Sequence, residues 1–114
     1  IHYYCAPCID DFLDTIPADM PKSDIFNLLA HHIDREIHRH YRLYPSNYIA
    51  LDELRGSQAF ASKYTEIEKR HFEQYLADQL AKVQLPHKDE PYLREQMLTM
   101  YANPAINHMA AKQV

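Results

Sequence analysis

Residues 65–84 read TEIEKRHFEQYLADQLAKVQ, and their first four, Thr65-Glu66-Ile67-Glu68, form a capping box. In that pattern the threonine hydroxyl accepts the backbone N–H three residues on, and the glutamate reaches back to the threonine N–H, so two donors left over at a helix start are satisfied together. Phe72, Leu76, Leu80 and Val83 follow at helical spacing, which predicts a helix to about Gln84 burying that face. Leu85-Pro86 ends it. The rest of the chain is read outward from this helix.

A single glycine, Gly56, occurs in 114 residues, against seven prolines. Tight hairpins collect residues that tolerate positive φ, so this composition argues for helices and against a sheet protein. It also excludes phosphate-cradling loops, whose backbones need glycine to approach the ligand. Upstream, Pro21 and Ser23 open a long helix with Ser23 as N-cap, and Phe26, Leu29, Ile33, Ile37 and Tyr44 line one face before Pro45 stops it. A second helix is expected from about Asn47 to Arg55, capped by Ser46 and closed by Gly56 in the left-handed conformation. A polar loop follows from Ser57 to Tyr64.

Downstream, Asp89 caps a helix with Pro91 in its first turn, where proline is tolerated. Leu93, Met97, Met100 and Tyr101 are expected to face inward. Asn103-Pro104 is expected to break this helix, leaving a short terminal one with Ile106 and Met109. At the other end, residues 1–9 are apolar and aromatic and read as a short strand-like arm, and Asp10 to Pro21 as a connector with one helical turn around Phe12 and Leu13. The expectation is a mainly α protein, a small cluster of about four to five helices, divided into an arm and connector over 1–22 and a helical domain over 23–114. An orphan strand and a first residue other than methionine suggest a fragment of a larger α/β protein, though a cleaved leader accounts for the missing methionine equally. An unpaired apolar strand is also an adhesive edge, so a homodimer through the arm is expected.

A length of 114 residues, 46% apolar and 25% charged, is ordinary globular composition and excludes a disordered tail or a fibrous chain. The net charge of −4 argues against wholesale nucleic-acid binding. No run is long and apolar enough to span a bilayer, and no signal-peptide pattern opens the chain.

Cys5-Ala6-Pro7-Cys8 invites a thiol redox or half-zinc reading. Redox chemistry needs a helix directly after the pair and a sheet around it, and neither is in prospect. A zinc site would need a second close pair, yet His38 and His40 lie about 200° apart on a helix. Two partly buried small side chains on an extended segment are the simpler reading, and no cofactor or metal is called for. The first long helix carries a more interesting pattern. His31, Arg35, His38, Arg39 and Arg42 fall within roughly 100° of arc opposite its apolar stripe. Arg35, Arg39, Arg42 and His38 are therefore candidates to contact anionic lipid or a phosphate, since arginine pairs bidentately with phosphate oxygens. A solvated helix face, partly cancelled by Asp34 and Glu36, is the plainer alternative. No catalytic residue is identified: the serines are better placed as caps or in a loop, and no acid–base set is assembled.

Two stretches go beyond composition. Arg42-Leu43-Tyr44-Pro45-Ser46-Asn47-Tyr48-Ile49-Ala50-Leu51-Asp52 resembles a segment that follows the catalytic domain in bacterial glycerolphosphate and lysophosphatidic-acid acyltransferase-like proteins, and Met100-Tyr101-Ala102-Asn103-Pro104, with Asn107 nearby, resembles their extreme C-terminus. Their order and spacing fit as well. The resemblance implies acyl transfer from a thioester to a lysophospholipid or glycerol-phosphate hydroxyl, driven by a His-x4-Asp motif in which histidine is the general base and aspartate orients it. These 114 residues contain no His-x4-Asp; His31 and Glu36 are its nearest approach. The arm would correspond to a late strand of the catalytic sheet, where Pro7 matches a Gly-x-Pro turn and Cys5 stands in place of the glycine. The implied role is a non-catalytic C-terminal helical part, partnered by an upstream catalytic domain and by an anionic membrane surface. The expected location is cytoplasmic, peripheral on the cytoplasmic face of the membrane. The alternatives are an independent helical protein-interaction module and, more distantly, a Cys-x-x-Cys redox or zinc protein.

Overall fold

A computed structural model describes residues 2–112. It is mainly helical, as expected: α1 (Asp10–Leu13), α2 (Lys22–His40), α3 (Pro45–Arg55), a 3-10 turn (Ala61–Lys63), α4 (Glu66–Lys82) and α5 (Glu90–Lys112). No strand occurs among the described residues. The arm from His2 to Cys8 carries neither helix nor strand. No helix is long and apolar enough to cross a membrane. The chain divides into two units, one made of Ile1–Arg42 with His108–Val114, the other of Leu43–Asn107.

The second unit contains most of the buried apolar residues. Ile49, Ala50 and Leu51 of α3, Phe72, Leu76 and Leu80 of α4, and Leu98, Ala102 and Ala105 of α5 are buried. α4 starts as its sequence predicts. Thr65 Oγ1 accepts the Glu68 N–H at 3.1 Å while Glu68 Oε1 accepts the Thr65 N–H at 3.1 Å. Val83 is half-buried, and the helix closes at Lys82, two residues short of Gln84. Gly56 ends α3 at φ +61°, ψ +37°, the left-handed conformation that glycine adopts without a Cβ penalty. In α5, the Asp89 carboxylate accepts the Tyr92 N–H at 3.2 Å, the expected cap.

Four expectations are corrected. α2 stops at His40 rather than continuing to Tyr44: the backbone is already extended at Tyr41, at φ −72°, ψ 152°, and Tyr44 at φ −116°, ψ 160° has the extended conformation favoured before a proline. Pro45 then opens α3 instead of merely closing α2, so Tyr44 rather than Ser46 is the N-cap residue; proline is favoured at this first position because its missing N–H is unused there. α2 likewise begins at Lys22, with Pro21 and not Ser23 before it. α5 does not break at Asn103-Pro104 but runs through Pro104 to Lys112. With the helix continuous, its inward face is Leu98, Ala102 and Ala105, and Met100 is exposed.

The first unit is thinly packed. α2 contains no fully buried residue, and the expected apolar stripe is largely open, with Phe26 66%, Ile33 44% and Ile37 55% exposed. Residues of α5 from His108 onward supply local partners. The Arg39 guanidinium donates to the Ala111 carbonyl at 3.3 Å, and His108 Nδ1 donates to the His38 carbonyl at 2.9 Å.

Candidate functional site

In the first unit the arm lies along α2 in the opposite direction to the helix. Its order is fixed by three contacts. The Arg42 guanidinium hydrogen-bonds the His2 imidazole just beyond the end of α2. The Tyr4 ring stacks on His40 with centroids 4.3 Å apart, and the Phe12 ring of α1 stacks on His32 at 3.8 Å. The segment that reads as a strand thus finds its partners in side chains of a helix, not in a ladder. Between the two runs a groove of about 570 Å3, whose walls include Tyr3, Tyr4, Pro7, Ile33, Ile37 and Tyr41. From His32 to His40 the helix rises about 12 Å, which sets the length of the groove. Its character changes along that length. The middle is apolar, through Ile33 and Ile37, while His2, His40 and Arg42 gather at one end. Glu36 also lines it, but its carboxylate is engaged by Arg39 at 3.6 Å and His40 at 3.4 Å.

The four candidate anion contacts are not brought together as one cluster. Arg39 turns to Glu36 and the Ala111 carbonyl. Arg42 turns to His2 at the mouth of the groove. The His38 ring lies 5.9 Å from Tyr41, tilted by 53°, and Arg35 is half-buried on the helix. Only Arg42 of the four lines the groove. Burial raises the Tyr41 hydroxyl above its ordinary pKa. Cys5 and Cys8 are free thiols and both exposed. Among the described residues no three His, Cys, Asp or Glu side chains converge as metal ligands would.

The second unit shows what the most distinctive sequence stretch does. Asn47 is buried in the first turn of α3. Its Oδ1 accepts the Tyr44 N–H at 2.8 Å and its Nδ2 donates to the Tyr101 carbonyl of α5 at 2.8 Å. At the other end of α3, buried Asp52 accepts from Ser57 Oγ at 3.1 Å, from the Phe60 N–H at 3.1 Å and from the Tyr64 hydroxyl at 2.8 Å. The polar loop 57–64 is therefore organised around one carboxylate. Burial and the bond to Asp52 push the Tyr64 hydroxyl up to about 12. The Tyr101 hydroxyl donates to that of Tyr75 at 2.9 Å; this bond, and then burial, push it up to about 12. Both tyrosines remain protonated at neutral pH, as donors and not as bases. Beside them a shallow cleft of about 410 Å3 is bordered by Tyr44, Pro45, Glu68, His71 and Tyr75.

Neither Asn47 nor Asp52 stood out as a buried polar centre in the sequence, where Asn47 read only as the first residue of the second helix. Aspartate in the last turns of a helix, where the dipole disfavours it, was the one available signal for Asp52. The groove carried a fainter sign, two tyrosines in the arm and a phenylalanine in the connector with no strand partner to pack on. The chain matches no family model, no curated protein and no solved structure.

Proposed function

We propose that this chain is the helical, non-catalytic part of a phospholipid-pathway acyltransferase, which moves an acyl group from a thioester to the hydroxyl of a lysophospholipid or glycerol phosphate. The His-x4-Asp that performs the transfer is expected upstream of Ile1. The observation that carries this reading is the 2.8 Å bond from Asn47 to the Tyr101 carbonyl. Residues 42–52 and 100–104 are the two stretches that resemble that family, and they meet at this bond although more than forty residues separate them in the chain. In this reading the unit braces the catalytic domain, and Arg35 and His38 of α2 remain candidates for an anionic lipid surface.

The test begins with the DNA upstream of the Ile1 codon. The expected result is an open frame containing His-x4-Asp, whose full-length product transfers an acyl group from a labelled acyl thioester to lysophosphatidate and loses that activity when the motif histidine is replaced by alanine. A start codon immediately before Ile1, or a frame without the motif, overturns the reading. A second reading, an independent helical interaction module, draws its support from Phe26, two-thirds exposed on an amphipathic helix.

A further inference from the structure

We propose that the groove between the arm and α2 binds a single-chain anionic amphiphile, with its head at the Arg42 and His2 end and its alkyl chain lying along Ile37 and Ile33. The volume of about 570 Å3 falls within the range of small-molecule sites, roughly 300–1,000 Å3, and such sites combine mostly apolar walls with a few placed polar groups. The groove spans only about 12 Å along α2, about two helical turns, which suits a short chain-like ligand better than a docked helix or a second copy of the chain. The occupant is therefore small and narrow.

Its charge follows from the ends of the groove. Arg42 places a guanidinium at that end, beside the His2 and His40 rings. Among the described residues Glu36 is the one acidic side chain in the lining, and Arg39 and His40 engage it. The guanidinium already bonds an imidazole. An arriving carboxylate or phosphate would offer the guanidinium an anionic, bidentate acceptor, and hydrogen bonds between two ionised groups of this kind are short and strong. The apolar requirement follows from the walls: Ile33 and Ile37 are large, adjacent on one helix face and open to solvent, so covering them with an alkyl chain removes their surface from water. The inference rests on the groove alone and holds whether or not a His-x4-Asp lies upstream.

The probe is cis-parinarate, a fluorescent fatty acid, titrated into the full 114-residue chain below its micellar concentration. Saturable binding at one site per chain is expected. Ile37→Asp, at an exposed position that leaves the helix intact by circular dichroism, should weaken it by about tenfold or more, while Ile67→Asp, equally exposed on α4, should leave it unchanged. Arg42→Gln should weaken the acid and spare its uncharged methyl ester. Dodecanoate and lysophosphatidate then compete for the site, and whichever displaces the probe at lower concentration identifies a carboxylate or a phosphate head. Absence of saturable binding, equal binding by Ile37→Asp, equal loss in Ile67→Asp, or displacement by neither competitor overturns the proposal.

Discussion

Asn47 of α3 and Tyr101 of α5 are joined by a 2.8 Å hydrogen bond from a buried side-chain amide to a helix carbonyl. The carbonyl lies three residues before Pro104, inside α5. Proline has no N–H to return to the preceding turn and its ring crowds that turn, so a helix passing through it is weakened there. Asn47 supplies an external donor to this weakened turn, and on its other side accepts the Tyr44 N–H at 2.8 Å. One side chain thus joins the first turn of α3 to the turn of α5 that precedes Pro104.

Asn47→Ala should therefore lose stability by about 1–3 kcal/mol, the cost of leaving buried backbone groups without their partner. Asn47→Asp keeps the acceptor for Tyr44 but turns the donor into a second acceptor facing a carbonyl, and should be at least as damaging. Urea denaturation midpoints at equal slope measure both. A loss below about 0.5 kcal/mol in Asn47→Ala would show that water replaces the amide.

Alkaline pH should weaken the second unit through Tyr64. Its hydroxyl is held up to about 12 by burial and by Asp52, against about 10 in the unfolded chain. The folded state keeps a proton that the unfolded state gives up, so this contribution is complete below pH 10 and is lost as pH rises through 10 to 12. Tyrosinate absorbance should show Tyr64 and Tyr101 ionising after the other tyrosines. Asp52→Asn should bring the Tyr64 ionisation down toward the ordinary range; an unchanged titration in that variant would mean that the bond to Asp52 is not formed.

Gly56→Ala should cost about 1 kcal/mol, because φ +61° is strained for any residue with a Cβ. The space itself is open, with no atom within 4 Å of an added Cβ. Gly56→Asn should therefore cost less than alanine, since asparagine tolerates this conformation. Thermal melting of the three proteins ranks them, and asparagine melting below alanine would contradict a purely backbone origin.

Arg94 of α5 reaches Glu53 of α3 at 2.9 Å and Glu73 of α4 at 2.7 Å with one nitrogen, linking three helices. The guanidinium is partly exposed, so Arg94→Met should cost only about 0.5–1 kcal/mol at low salt. The difference should shrink in 1 M sodium chloride, where the screening length is about 3 Å. A salt-independent loss would instead point to packing of the side-chain stem.

Local signals in the sequence account for much of the helical frame. The Thr65 box, the Asp89 cap and the left-handed Gly56 each involve hydrogen bonds or sterics within three or four residues, so each could be read without knowing what lies opposite. The same logic failed at Pro45 and Pro104, for related reasons. Proline is compatible with the end of one helix and the first turn of the next, and α5 accommodates Pro104 in its interior, flanked by buried Ala102 and Ala105 and by the bond from Asn47 to Tyr101.

The site was less legible than the frame. Period and composition showed that α2 has an apolar stripe and a basic stripe, but not that the apolar one stays half open or that Arg39 and Arg42 turn to different partners. The arm read as a strand because apolar and aromatic residues in succession suit a pleated surface equally well; its stacking on His40 and His32 depends on α2 lying alongside it. By itself, then, the sequence determined that the chain is helical, where α4 and α5 begin and where α3 ends, since capping and backbone strain are local. Only the tertiary structure decided which faces are buried, that Asn47 and Asp52 are buried centres of hydrogen bonding, and that a groove exists at all, because burial and polar pairing are properties of surfaces brought together from distant parts of the chain.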